Sequence, residues 1–289
     1  SPDFAAMYKA QDPRYGQGKN LVLPAFSTYV DGGLPLFAFM WVLQCWDHFW
    51  YGGSLEDLRT NYGDVAVMLE HAFQWINDRG LVEMTDAWDL LDWGNNDVTS
   101  YGETIANSVC LAKCCDVAAD MASALGLDEQ VRYREQAKKL RDAVNRYGWN
   151  EDRSAYVDTV RDEKGYAIYT RYCQKREWSP LPYSQYRELE RVSRQTNTIA
   201  YLYDCVPPER RKAVEALILA SVDGRYIKGS PSNRSLGKPS DREAPHGIVE
   251  IGTPMFLYHS FAALAKMGCV DRILPVIKRD FGRMLRCGT

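Results

Sequence analysis

The chain has 289 residues, enough for one large core or for two domains of about 100–200 residues each. Its 35 Lys+Arg nearly balance 38 Asp+Glu for a net charge of −3, and no long basic block occurs, which excludes a footprint for a phosphate backbone and with it nucleic acid as a partner. Apolar residues at 46% and charged residues at 25% are ordinary for a globular protein, whereas 8 Trp and 18 Tyr exceed what a core requires and point to a use of aromatic faces.

From the N-terminus, Ser1 to Arg14 shows neither a basic start nor an apolar run of about 7–15 residues, so no signal peptide is visible. The most apolar stretch, Leu34 to Leu43, runs into Gln44, Asp47 and His48 and falls short of the roughly 20 residues that span a bilayer, so no membrane segment is expected. It reads as the start of an enclosed helix, Leu34–Tyr51, followed by an amphipathic one, Leu55–Ile76. The same couplet recurs. Ile105, Ala106, Val109, Cys110, Leu111, Cys114, Val117, Ala118 and Met121 are apolar on nearly every side of a helix that Gly126 stops. A one-faced helix follows, with Asp128 as expected N-cap, Val131, Ala137, Leu140 and Val144 inward, and Arg132, Glu135, Lys138 and Asp142 outward.

Ala155-Tyr156-Val157 and Tyr166-Ala167-Ile168 flank the turn-like Asp162-Glu163-Lys164-Gly165, which predicts a small β-hairpin or extended insertion. Beyond it, enclosed Gln195–Cys205 precedes amphipathic Glu209–Ser221 after the Pro207-Pro208 break, and enclosed Pro254–Met267 precedes Asp271–Leu285. Alternating enclosed and one-faced helices imply concentric layers. The expected fold is all-α, an (α/α)6-barrel or six-hairpin toroid with about four of its six hairpins present. Residues 1–289 then form one partial toroid domain, a piece of a larger barrel.

Cys45, Cys110, Cys114 and Cys115 fall inside enclosed helices, which suits small buried thiols and predicts no disulfide among them. Adjacent Cys114 and Cys115, without any CxxC, argue against a zinc site, and no metal or other cofactor is expected.

Polar clusters stand immediately before the enclosed helices: residues 27–33, 92–97, 193–197 and 246–253. If those helices run the same way, their N-termini share one rim, where free N–H groups favour acceptor-rich ligands such as sugars. Each cluster also suits ordinary caps and turns. Trp93 favours the ligand reading for its own cluster: beside Asp92, Asn96 and Asp97 it offers an apolar platform for a pyranose, with carboxylates and an amide for hydroxyls, and Trp88 and Asp89 extend it. The candidate substrate-binding residues are Asp92, Trp93, Asn96, Arg194 and Glu250. Arg194 either orients hydroxyls or forms a rim salt bridge. His246 and His259 read as structural or surface groups, because their spacing reveals no partner.

These residues resemble the toroidal catalytic domain of α-L-rhamnosidases, glycoside hydrolase family 78. The resemblance rests on Asp92-Trp93 before an enclosed helix, on 133–137 and 147–150 leading into Tyr156-Val157-Asp158, on Ser193-Arg194-Gln195-Thr196-Asn197, on Val206-Pro207-Pro208-Glu209, and on Gly252-Thr253-Pro254-Met255-Phe256-Leu257. It implies that Trp93 and Asp92 lie against a bound rhamnose. It further implies a carbohydrate partner and an inverting hydrolase, in which an acid protonates the leaving oxygen while a carboxylate roughly 6.5–9.5 Å away activates water. The family's acid motif, an acidic stretch ending in Gly-Trp-Thr-Gly-Asp, has no match between Ser1 and Gly33, and its Trp-Glu base motif has none before Thr289. The chain is therefore expected to lack both catalytic carboxylates. Two alternatives stay open: a non-catalytic carbohydrate-binding toroid, or a toroid hydrolase of other sugar specificity using Asp31, Asp97 or Glu250.

Overall fold

In the computed structural model, which describes residues 35–85, 91–92, 101–222, 248–249, 251, 253–286 and 288, Pro35 opens helix α1 (Pro35–Trp50) at the first helical position, where its missing N–H is no loss. Ser54 starts α2 (Leu55–Phe73) with a capping box: its hydroxyl accepts from the Asp57 N–H at 3.1 Å, and the Asp57 carboxylate accepts from the Ser54 N–H at 2.9 Å. The enclosed helix α3 (Ile105–Ala124) buries side chains around its circumference, among them Ala106, Val109, Leu111, Cys114 and Val117. By contrast α4 (Gln130–Tyr147) buries one stripe, Tyr133, Ala137, Leu140, Ala143 and Val144. Helix α3 packs on α4, α1 and α2. At its end Gly126 takes φ +70°, while the N–H groups of Gly126 and Leu127 donate to Ser123 and Ala122. The expected cap of α4 is displaced by one residue: Glu129 occupies the N-cap without a side-chain bond, and Asp128 contributes its backbone carbonyl to the turn before it.

The described residues divide into two compact units. The first comprises residues 35–85, 101–148 and 159–188; the second comprises 91–92, 149–158 and the described residues from 189 onward. Within the first, strands β1 (Glu83–Thr85) and β2 (Tyr101–Glu103) pair antiparallel with Glu83 opposite Glu103. Glu103 is fully buried, accepting from Asn77 at 2.6 Å and Arg79 at 3.2 Å, and Arg79 also holds Asp162 at 2.7 Å. Burial raises the Glu103 pKa; its bonds to Asn77 and Arg79 oppose that rise.

The predicted hairpin exists and keeps Ala155-Tyr156 as one strand, but its partner strand precedes it instead of following at 166–168. In the second unit β3 (Trp149–Asn150) pairs antiparallel with β4 (Ala155–Tyr156). Asp162-Glu163-Lys164-Gly165 is not a turn: Asp162 caps α5 (Glu163–Lys175), its carboxylate accepting from the Gly165 N–H at 3.0 Å, and Gly165, Ile168, Tyr169 and Cys173 form the buried face. The surplus tyrosines have a structural use here. Between α5 and α6 (Tyr183–Arg187), the buried Arg161 guanidinium lies 4.7 Å from the Tyr186 ring and 5.5 Å from the Tyr101 ring, and Tyr169 stacks on Tyr186.

The second unit repeats the enclosed and one-faced alternation. Strand β5 (Val192–Ser193) leads into α7 (Arg194–Leu202), buried along residues 194–201, and α8 (Pro208–Val222) covers it with Val214, Leu217 and Ile218. Strand β6 (Ile248–Val249) precedes a 3-10 turn (Pro254–Phe256) that opens α9 (Leu257–Lys266), and α10 (Ile273–Arg286) ends the described chain of helices. Helix α9 packs against α7. Cys45, Cys110, Cys114 and Cys115 are all buried and outside any disulfide; burial, aided by Asp64, pushes Cys45 up to about 12, and burial also raises Cys114 and Cys115.

Candidate functional site

Strands β5 and β6 pair in parallel, Val192 beside Ile248 and Ser193 beside Val249, and each leads into an enclosed helix. The starts of α7 and α9 therefore lie on one side of the second unit. Asp92 sits between them, 3% exposed. One carboxylate oxygen accepts from the Gln195 side-chain amide at 2.8 Å and the other from the Thr253 hydroxyl at 2.5 Å. Hydrogen bonds onto a charged group contribute about 1.5–3 kcal/mol each, so this pair fixes the carboxylate's orientation. Thr253 occupies the N-cap position before Pro254 yet makes no side-chain cap bond, since its hydroxyl serves Asp92.

A second layer holds Gln195 in place. The Ser193 hydroxyl caps α7 by accepting from the Thr196 N–H at 3.1 Å, and the hydroxyls of Ser193 and Thr196 both donate to the buried Asp158 carboxylate at 2.5 Å. Asn197 clamps β4 by accepting from the Tyr156 N–H at 2.9 Å and donating to the Tyr156 carbonyl at 2.9 Å. It also donates to the Ser193 carbonyl at 2.8 Å. The first turn of α7 is thus anchored on three side chains, and Gln195 reaches Asp92 from a rigid base.

His259, in the first turn of α9, is 8% exposed and packs against the Phe256 ring at 5.1 Å and the Tyr258 ring at 5.3 Å. Burial drives its pKa down to about 4, against the opposing pull of the Asp92 charge. The imidazole is neutral at ordinary pH, and its Nδ1 is enclosed without a hydrogen-bond partner among the described residues; so is the Ser260 hydroxyl.

Of the candidates named from sequence, Asp92 lies at this convergence. Arg194 is also at the start of α7, but its guanidinium is buried and donates to the Leu217 carbonyl of α8. Trp93, Asn96, Asp97, Asp31 and Glu250 lie outside the described residues, as do Trp88, Asp89 and His246. Gln195, Thr253 and Asp158 are not among the site candidates that the sequence offers, and His259 reads there as a structural or surface group. A signal existed for two of them: Thr253 directly precedes a helix-opening Pro254, and Gln195 is the second residue of a helix whose cap, Ser193, is plain in the sequence. Among the described residues no group of three His, Cys, Asp or Glu side chains is placed to hold a metal ion, and no helix is long and apolar enough to cross a membrane.

The chain is similar in structure to a family 78 rhamnosidase of Bacillus sp. GL1, with a TM-score of 0.68 at 24% identity over 88% of this chain and 22% of that one. It is similar also to a rhamnosidase from Klebsiella oxytoca with rhamnose bound, with a TM-score of 0.59 at 18% identity over 90% of this chain and 40% of that one. The chain thus spans well under half the length of either, and the likeness establishes the fold. A comparison with curated proteins returns no match. The model of the bacterial alpha-L-rhamnosidase six-hairpin glycosidase domain matches residues 5–228, a stretch that includes Asp92, Gln195 and the start of α7 and ends before Thr253 and α9, and the chain belongs to that family.

Proposed function

We propose that this chain is the sugar-holding part of a glycoside hydrolase that removes terminal α-L-rhamnosyl groups by an inverting acid/base mechanism, and that its two units belong to one six-hairpin domain. The observation that carries the reading is Asp92: a buried carboxylate at the common start of two enclosed helices, oriented by Gln195 and Thr253. Each carboxylate oxygen has two acceptor positions, and we assign Asp92 to sugar hydroxyls beside its protein donors. We assign Trp93 as the stacking platform next to it, and Asn96 and Glu250 as further hydroxyl partners. Arg194 serves the site by tying the first turn of α7 to α8. Hydrolysis by inversion needs one carboxylic acid and one carboxylate across the scissile bond and no cofactor.

Asp92 and Asp158 do not supply that pair. Asp158 is fully buried under Ser193 and Thr196, and Asp92 is held as an acceptor in a place suited to fixing a sugar rather than exchanging protons. The expected result is that the 289-residue chain binds L-rhamnose in calorimetry without hydrolysing an aryl α-L-rhamnoside. Asp92→Ala and Trp93→Ala should each weaken binding about tenfold or more, the loss of one charge-assisted hydrogen bond or one stacking face. Turnover by the chain would overturn the division of labour, and absence of rhamnose binding would overturn the sugar reading itself.

A further inference from the structure

We propose that His259 is a sugar-contacting residue of the Asp92 site, its Nδ1 completed by a ring hydroxyl of the bound glycoside. The inference rests on the reading that the rim around Asp92 holds sugar. Three observations converge on it. First, Nδ1 is enclosed and has no hydrogen-bond partner among the described residues, which is uncommon for a buried polar atom and suits it to a ligand hydroxyl. Second, the ring belongs to the first turn of α9, the same helix start from which Thr253 reaches Asp92, and the Asp92 carboxylate is near enough for its charge to act on the imidazole. Third, the aromatic rings of Phe256 and Tyr258 pack on the imidazole and give that wall an apolar character, the setting in which a few polar atoms select a ligand.

Chemistry favours a hydroxyl over an ion. Burial keeps the ring uncharged over the ordinary pH range, so one nitrogen donates while the other accepts, and a sugar hydroxyl can answer either. Rotation about χ2 exchanges Nδ1 with Cδ2 at constant ring volume. Because Nδ1 has no bond to lose among the described residues, such a rotation costs no hydrogen bond there. An anion would meet the repulsion of Asp92, and a cation would find a single carboxylate already engaged by Gln195 and Thr253.

The test is L-rhamnose titration of the full 289-residue chain and two variants, read by calorimetry. His259→Leu keeps the bulk and removes both nitrogens; it is expected to weaken binding about tenfold, the usual consequence of removing one buried hydrogen-bond partner. His259→Asn keeps a polar atom close to the Nδ1 position and is expected to remain within about threefold of the parent chain. Leu and parent chains binding alike would overturn the proposal while leaving the sugar reading intact. A parent chain that does not bind L-rhamnose would overturn both. Should His259→Leu fail to fold, nitrogen-15 spectra of the unmodified protein decide: the His259 Nδ1 resonance is expected to shift on adding L-rhamnose, and an unmoved resonance in a saturated sample refutes the contact.

Discussion

Burial holds the His259 pKa near about 4 even though the Asp92 charge pulls it upward, and this difference from the unfolded chain couples stability to acid. In the unfolded chain the imidazole takes its proton near pH 6.5, whereas in the folded protein it stays neutral until about pH 4. Between those values the unfolded state binds more protons, so the stability of the folded state falls as pH falls and is unaffected by this group above about pH 6.5. At about 1.4 kcal/mol per pH unit the loss by pH 4.5 is about 2–3 kcal/mol. Urea denaturation of the parent chain and His259→Asn at pH 7 and pH 4.5 measures it. The stability of the parent should drop more steeply than that of the variant; equal drops would mean that the imidazole is protonated in the folded state. The same burial explains why sequence inspection ranked His259 as structural: nothing local announces that its neighbour will be Asp92, 167 positions earlier by numbering.

Gly165 shows where local composition misleads. Asp162-Glu163-Lys164-Gly165 contains residues favoured in turns, yet Asp and Glu are equally at home at a helix start, and what decides is the buried stripe of Ile168, Tyr169 and Cys173 that follows. Glycine is required for room rather than for a left-handed backbone. A Cβ there would run into the Val160 carbonyl oxygen and approach the Tyr186 hydroxyl to 2.7 Å. In an open helix, Gly→Ala stabilises by roughly 0.5–1 kcal/mol. At Gly165 the crowding reverses the sign, and Gly165→Ala is expected to cost about 1–3 kcal/mol in urea denaturation; a gain in stability would show that α5 has slack against α6. The helices themselves were legible, since the contrast between enclosed α3 and one-faced α4 is written in side chains a few positions apart. The site was legible only on one side. Asp92 stood out as a polar residue in a cluster before a helix, but its partners Gln195 and Thr253 lie 103 and 161 positions away, and no periodicity spans such separations.

Neither compact unit is a continuous stretch of chain. The first is interrupted at 149–158 and the second draws Leu91 and Asp92, that hairpin and the C-terminal helices from three places. The interruption is anchored where it leaves and returns: Gly148 closes α4 with a Cβ position pressed against Ile105, and Thr159 bridges to Thr104. What the 149–158 hairpin finds in the second unit is the Asn197 clamp on both backbone groups of Tyr156 and the two hydroxyls on Asp158. Chain connectivity carries 149–158 out of the first unit and back into it, and the expected outcome is that the two units unfold together. Asn197→Ala tests this, because it removes three hydrogen bonds of 2.8–2.9 Å that hold the Tyr156 N–H, the Tyr156 C=O and the Ser193 C=O. The expected cost is about 3 kcal/mol, which for a chain of this size lowers the Tm by several degrees. With fluorinated tryptophan, Trp75 reports the first unit and Trp149 the second by fluorine NMR during heating. Both midpoints should fall together in Asn197→Ala. If only the Trp149 transition moves while Trp75 keeps its parental midpoint, the units unfold independently.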